Sequence, residues 1–220
     1  ILILVRTGNI ANLIKNKFKI LNILYADPEE ALNLLHHQKT RELLCILRLL
    51  ADKKDSLSWW TLLSLTHGIG CNTINEIYKL ARQSNRSFGA TIIAEAENKF
   101  ENIKLSKQKL SNRVKEILEI IVKLEVPEKA QWGDWVREQI KSQKLPALPS
   151  GMEELLTKID SFKEEIDEID LNQYVNQIEP TVKDIMNSKT SDRVRIMTLN
   201  GSKGLTVCAT IIAGAEDGII

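Results

Sequence analysis

Apolar positions along the 220-residue chain follow two different patterns. Residues 1–5, Ile-Leu-Ile-Leu-Val, form a short unbroken apolar run of the kind that a buried parallel strand needs. Near the other end, the β-prone run 194–199 leads into a polar, glycine-punctuated turn, and a second apolar run follows at 207–213. Between these ends the apolar residues take helical steps. Ile10, Leu13, Ile14 and Phe18 follow the turn 6–9, and the next helix, opened at Asp27, is expected to continue through Leu43, Leu44, Ile46, Leu47 and Leu50. Alternating steps of four and three recur at Leu110, Val114, Ile117, Ile121 and Leu124, and again at Leu155, Ile159, Phe162, Ile166 and Ile169. Two helices with such seams pack on each other or on a helical body. The expected fold is therefore mainly α (α+β overall), a helical body framed by a small parallel sheet to which both ends return.

Start and stop signals refine the helices. Asp27 as N-cap with Pro28 at the first helical position opens one, and Asp55 or Ser56 caps another that carries Trp59, Trp60, Leu62 and Leu63. Thr73 with Glu76 three residues on has the form of a capping box. His36 and His37 are expected on a helix surface, and both Trp59 and Trp60 as core anchors rather than base-stacking platforms. The segment Pro146-Ala147-Leu148-Pro149-Ser150-Gly151 reads as a stiff linker.

Composition narrows the class. At 43% hydrophobic and 27% charged the chain is of ordinary globular make-up, and its net charge of +1 supplies no global field for nucleic acid. Any basic surface must be local. Residues 99–115 are mostly basic and 153–170 mostly acidic, faces that either complement each other or are solvated. Cys45, Cys71 and Cys208 are isolated, which argues for a reducing compartment and no disulfide framework. The apolar opening lacks the basic region of a signal peptide, and no apolar run approaches the ~20 residues of a membrane span. The chain begins without Met, directly on a strand-like run, and ends in Ile219-Ile220. Those ends are expected of a piece of a larger protein.

Two stretches carry candidate chemistry. Residues 65–77 fit a helix-hairpin-helix turn, with Gly68-Ile69-Gly70 between two helices and Asn72 and Thr73 opening the second. Small residues there let a DNA backbone approach main-chain N–H groups at a helix N-terminus, a sequence-independent phosphate contact. The alternative is a tight interhelical turn in which the glycines serve backbone geometry only. In the 198–204 loop, Thr198, Asn200 and Ser202 offer hydrogen bonds and Lys203 a point charge suited to phosphate. The alternative there is a solvated polar turn. It is not a Walker A loop, whose Gly-x4-Gly-Lys-Ser/Thr pattern is absent from the chain. His67 and Cys71 lack a second pair to complete a metal site, and no Ser/His/Asp arrangement is legible.

At these stretches the chain resembles a known family. Val194-Arg195-Ile196-Met197-Thr198-Leu199-Asn200-Gly201-Ser202-Lys203-Gly204-Leu205-Thr206 resembles helicase motif V of the UvrD/Rep/PcrA superfamily 1 DNA helicases, "V-x-L/I-M-T-x-H-x-A/S-K-G-L-E-F". Ile211 to Ile219 is similar to the "V-F-x-x-G-x-E-E-G" that follows it there. Upstream, Leu47-Arg48-Leu49-Leu50-Ala51-Asp52 through Trp59-Trp60 to His67-Gly68-Ile69-Gly70 is similar to "L-R-L-L-A-N-P-x-D…R-G-I-G", and Ile3-Leu4-Val5-Arg6-Thr7 to the strand before it.

The resemblance implies residues 1–25 and 190–220 as parts of the RecA-like domain 2A, with residues 26–189 as the inserted helical domain 2B. It implies that Gly68, Ile69 and Gly70 touch duplex DNA ahead of the fork. It also implies that Thr198, Asn200, Ser202, Lys203 and Gly204 contact single-stranded DNA, and that Glu216 or Asp217 meets the nucleotide ribose. The parent would be a cytoplasmic ATP-dependent DNA helicase using ATP and Mg²⁺, with an N-terminal RecA-like domain as partner and no membrane role. Walker A, Walker B and motif VI are absent from this sequence, so the fragment alone is expected not to hydrolyse ATP. Two positions depart from the family pattern, Asn200 for histidine and Thr206 for glutamate. Two other readings compete: a helix-hairpin-helix DNA repair binding module, and a helical protein-interaction domain docking a partner through its seams.

Overall fold

Four short strands, Leu2–Val5 (β1), Tyr25–Ala26 (β2), Val194–Thr198 (β3) and Thr210–Ala213 (β4), pair in parallel in the order β2-β3-β1-β4. The computed structural model describes residues 1–27, 33–149, 151–162, 169–187, 193–203 and 206–214. The fold is mainly helical with this partial parallel sheet. The chain divides into two compact units, one drawn from Ile1–Leu34 and Val182–Ile220, the other from Leu35–Thr181.

In the sheet unit β1 lies between β3 and β4, with Leu2 opposite Arg195 and Thr210, and Val5 opposite Thr198 and Ala213. An inner strand of a parallel sheet needs apolar residues on successive positions, which explains the unbroken opening run. Helix Gly8–Ile20 (α1) lays Ile10, Ala11, Ile14 and Phe18 against Ile3, Val5 and Ile196. Leu13, expected on that face, is 70% exposed. The apolar run at 207–213 becomes strand only from Thr210, and Ile211 and Ile212 on this edge strand stay exposed.

The helical unit runs through Gln38–Ala51 (α2), Ser56–Leu65 (α3), Cys71–Gln83 (α4), Phe88–Glu97 (α5), Lys107–Lys123 (α6), Trp132–Lys141 (α7) and Met152–Phe162 (α8). Leu171–Asn187 (α9) follows and carries Pro180 inside it. The central helix is α3, which packs on α2, α4 and α5, while α6 packs on α2 and α5. Its buried side chains, Ser58, Trp59, Thr61, Leu62 and Leu63, occupy several sides of the helix, as a core helix requires. Trp59 is wholly buried, and its indole Nε1 donates to the Lys53 carbonyl at 2.8 Å. Trp60 is 48% exposed, so only one of the paired tryptophans anchors the core. Helix α5 crosses α3 closely at Gly89, where a β-carbon would collide with the Lys54 carbonyl.

Asp55 caps α3, accepting the Leu57 N–H at 3.0 Å and the Ser58 hydroxyl at 2.5 Å. Replacing Asp55 with Ala removes the cap and orphans a buried hydroxyl, so a loss of about 1–2 kcal/mol is expected in urea unfolding. Three expectations are corrected here. His37 is not a helix-surface residue but the N-cap of α2, its Nδ1 accepting the Lys39 N–H at 3.2 Å. Thr73 and Glu76 form no capping box, because the N-cap of α4 lies three residues earlier, at Gly70. Ile169 lies outside α8, which ends at Phe162. The helix start at Pro28 and the seam position Ile166 fall outside the described residues.

The seam from Leu110 to Leu124 is buried throughout. Helices α7 and α8 pack together, and Arg137 of α7 bonds Asp134 at 2.6 Å and Asp160 of α8 at 3.0 Å. The Tyr174 hydroxyl donates to the same Asp160 carboxylate at 3.2 Å. Burial pushes the Asp160 carboxyl above the usual carboxylate range despite its Arg137 partner, and burial together with Asp160 raises the Tyr174 phenol, keeping it a donor. Among the described residues, no ion pair joins the basic 99–115 stretch to the acidic 153–170 stretch; Arg113 instead pairs with Glu42 and Glu116. The cysteines Cys45, Cys71 and Cys208 are free thiols, and among the described residues no helix is long and apolar enough to cross a membrane.

Candidate nucleic-acid interface

The turn between α3 and α4 is built by a few local bonds. Thr66 closes α3, its hydroxyl donating to the Leu62 carbonyl at 2.8 Å and its N–H to Leu63 at 3.1 Å. Ile69 N–H then donates to the Thr66 carbonyl at 3.1 Å, which folds the chain back on itself. Gly68 sits at φ +85°, a left-handed conformation that a side chain resists. Ile69 is 5% exposed and plugs the turn into the core, so any contact it offers is through its backbone.

Gly70 differs in kind from Gly68. Its φ of −93° and ψ of 172° suit any residue, and a β-carbon there would meet nothing within 4 Å. As the N-cap of α4 it has no side chain to accept from the first turn, and the first helical bond runs from Ile74 N–H to the Gly70 carbonyl at 3.2 Å. The opening N–H groups, Cys71, Asn72 and Thr73, therefore form an uncapped donor cluster at the positive end of a helix, a geometry complementary to an anion. Asn72 is exposed beside them, whereas the Thr73 side chain is 2% exposed and turned into the core. Thr73 can contribute its N–H to a ligand but not its hydroxyl.

A second segment, distant in sequence, braces this turn. Glu76 Oε2 accepts the N–H groups of Lys104 and Leu105 at 3.1 and 3.2 Å. Ser106, left-handed at φ 49°, donates its hydroxyl to the Gly68 carbonyl at 3.0 Å. Lys109 of α6 lies against Gly68, so closely that a β-carbon there would collide with its ammonium group. Lys104, Lys107 and Lys109 are all exposed on this segment. Sequence reasoning missed Glu76, Ser106 and Lys109 in these roles; the local signal was the run of lysines in 99–115.

The loop after β3 belongs to the sheet unit. Its Thr198 Oγ1 accepts the Gly201 N–H at 3.2 Å, and its carbonyl accepts Ser202 N–H at 3.1 Å. Ser202 in turn donates its hydroxyl to the Leu199 carbonyl at 3.1 Å. The Thr198 and Ser202 hydroxyls thus shape the turn, while Asn200 and Lys203 are exposed. Leu199 N–H donates to the Val5 carbonyl at 3.3 Å, which ties the start of the loop to β1. Gly204, Glu216 and Asp217 lie outside the described residues.

Among the described residues no group of three or more His, Cys, Asp or Glu side chains could hold a metal ion.

The sheet draws its strands from both ends of the chain, with the helical unit between them in sequence. The chain belongs to the UvrD-like helicase C-terminal domain family, whose sequence profile matches residues 1–220. It is also similar to the ATP-dependent DNA helicase Rep of Buchnera aphidicola subsp. Schizaphis graminum (strain Sg), at 22% identity over a 242-residue alignment. That alignment covers 99% of this chain and 36% of the relative, so the chain spans about a third of that protein's length.

Proposed function

We propose that the chain is the DNA-gripping part of an ATP-dependent DNA helicase. In this reading the helical unit is domain 2B and holds the duplex backbone ahead of a fork. The sheet unit is part of domain 2A, and its Thr198 to Lys203 loop is the motif V contact with single-stranded DNA. ATP and Mg²⁺ would be bound by the longer protein together with an N-terminal RecA-like domain.

The observation that carries the reading is the uncapped N-terminus of α4 beside Lys109. Its N–H groups have no side-chain cap, its N-cap is an exposed glycine, and an ammonium group stands next to the turn. Nothing about a purely structural turn calls for that combination, since Ser, Asp or Asn at position 70 would fit and would stabilise the helix. A phosphate satisfies all three features together.

Binding of this kind reads the backbone and not the bases, so it is salt-dependent and indifferent to sequence. Fluorescence anisotropy of the 220-residue chain with labelled fork DNA across a salt series tests it. Lys109→Ala is expected to weaken binding equally on unrelated sequences and to lower the salt slope by about 1. An unchanged slope would take Lys109 out of the interface. A protein-interaction reading predicts no salt-dependent DNA binding at all.

A further inference from the structure

One turn beyond its N-terminus, the exposed face of α4 forms one wall of a cleft of about 370 Å³. Asn72, Asn75, Glu76 and Lys79, spaced three, four and seven residues from the first, share this face, and Tyr78 and Leu105 complete the lining. The chemistry of the lining is mixed in a particular way. Tyr78 and Leu105 are 49% and 46% exposed, so they present a ring and an aliphatic surface to whatever enters. Asn72 and Asn75 supply amides that both donate and accept, and Lys79 supplies a cation.

The cleft is also built rather than incidental. The Arg82 guanidinium covers the Tyr78 ring at 5.0 Å, which holds the ring in place. Glu76 spends its carboxylate on the Lys104 and Leu105 N–H groups, which fixes the opposite wall. Held by these two bonds, Glu76 acts as a strut.

From this arrangement we infer that the cleft receives one unpaired nucleobase. The inference rests on the reading of the α4 N-terminus as a phosphate site and deepens it. A flat heterocycle satisfies the lining as no other class does: stacking on Tyr78, aliphatic contact with Leu105, and edge hydrogen bonds to the asparagine amides. Asn72 stands at the second residue of α4 and borders both the N–H cluster and the cleft. The phosphate and base sites are thus about one helical turn, ~5.4 Å, apart. Paired bases cannot enter, since their edges and faces are already occupied. The site therefore distinguishes a junction or a single strand from continuous duplex, which a pure backbone grip cannot do.

The test uses anisotropy with the 220-residue chain and four DNAs. These are a blunt duplex, a fork, the same fork with an abasic site at its first unpaired nucleotide, and a single strand. Tyr78→Ala is expected to weaken fork binding about 5- to 100-fold, the range of a single base-on-aromatic stack, and to leave the blunt duplex unchanged. Tyr78→Phe keeps the stack and is expected to bind like wild type. On the abasic fork, wild type and Tyr78→Ala are expected to bind alike. An effect on the single strand as large as on the fork would show that any unpaired base serves; an effect on the fork alone would point to the junction nucleotide.

Equal loss on fork and blunt duplex, or no loss on either fork or single strand, overturns the inference. If Tyr78→Ala is silent while Lys109→Ala still lowers the salt slope, the cleft fails and the phosphate site stands. If wild type binds none of the four DNAs, both fall.

Discussion

Gly70→Asp is expected to lower affinity for fork and duplex DNA by about 10- to 100-fold at low salt while leaving the protein as stable as before or slightly more so. The two effects have one cause. Position 70 is the N-cap of α4, with φ −93° and ψ 172°, and a β-carbon there meets nothing within 4 Å. Aspartate fits this backbone without strain, and its carboxylate accepts the N–H groups at the second or third helical residue, which gains a few tenths of a kcal/mol over glycine. The same carboxylate then occupies the donors that a phosphate would use and repels its charge. Losing a charge-assisted hydrogen bond of ~1.5–3 kcal/mol gives the stated range.

Gly70→Ser separates the two effects, since serine caps the helix without a charge and is expected to cost less affinity. Thermal unfolding and anisotropy on the same samples provide the measurement. Unchanged affinity for Gly70→Asp, with the fold intact, would remove the turn from the interface. Gly68 is a poorer probe, because its left-handed backbone and the Lys109 side chain against it make any substitution a change of fold as well.

Trp59→Ala is expected to destabilise the helical unit by about 3–5 kcal/mol. The indole is wholly buried and belongs to α3, the helix on which α2, α4 and α5 converge. Truncation opens a cavity beside the close crossing at Gly89 and leaves the Lys53 carbonyl without its indole donor. The urea midpoint of the helical unit reports the loss. A change under about 1 kcal/mol would mean that the neighbouring helices collapse into the space, contrary to the close crossing at Gly89. DNA affinity at temperatures below the midpoint should follow the folded fraction, because the wholly buried Trp59 side chain offers DNA no contact of its own.

Much of this architecture was legible locally. The unbroken run at 1–5 became the inner parallel strand, and the four-three spacing from Leu110 to Leu124 became a fully buried seam. Of the two residues that could cap the tryptophan-bearing helix, Asp55 does so and Ser56 begins the helix. These succeed because a period of apolar residues and a cap are properties of a few neighbouring positions. The failures have the opposite character. Thr73 and Glu76 have capping-box spacing, but Thr73 was drawn into the core and Glu76 was claimed by N–H groups 28 and 29 residues away. The tryptophans at 59 and 60 are chemically identical, yet adjacent helical positions point in different directions, so only one reached the interior. Leu13 kept helical spacing and still missed the sheet, since Ile10, Ile14 and Phe18 covered it first.

The candidate site divides along the same line. The Gly-Ile-Gly turn between two helices and the polar loop that carries Lys203 were readable from residue type and order. The uncapped start of α4 was not, because Thr73 and Glu76 have the spacing of a capping box while the N-cap lies at Gly70. What the tertiary structure alone decided is what stands around them. Ser106 reaches the Gly68 carbonyl across 38 residues, Lys109 comes to lie on the turn, and Leu105 comes to line the same cleft as Tyr78. None of these partners is implied by spacing, because their separation along the chain is set by how α5 and α6 fold back on α4. Local sequence determined where a phosphate could be met. Only the packing of distant helices determined what charge, brace and stacking surface would be waiting beside it.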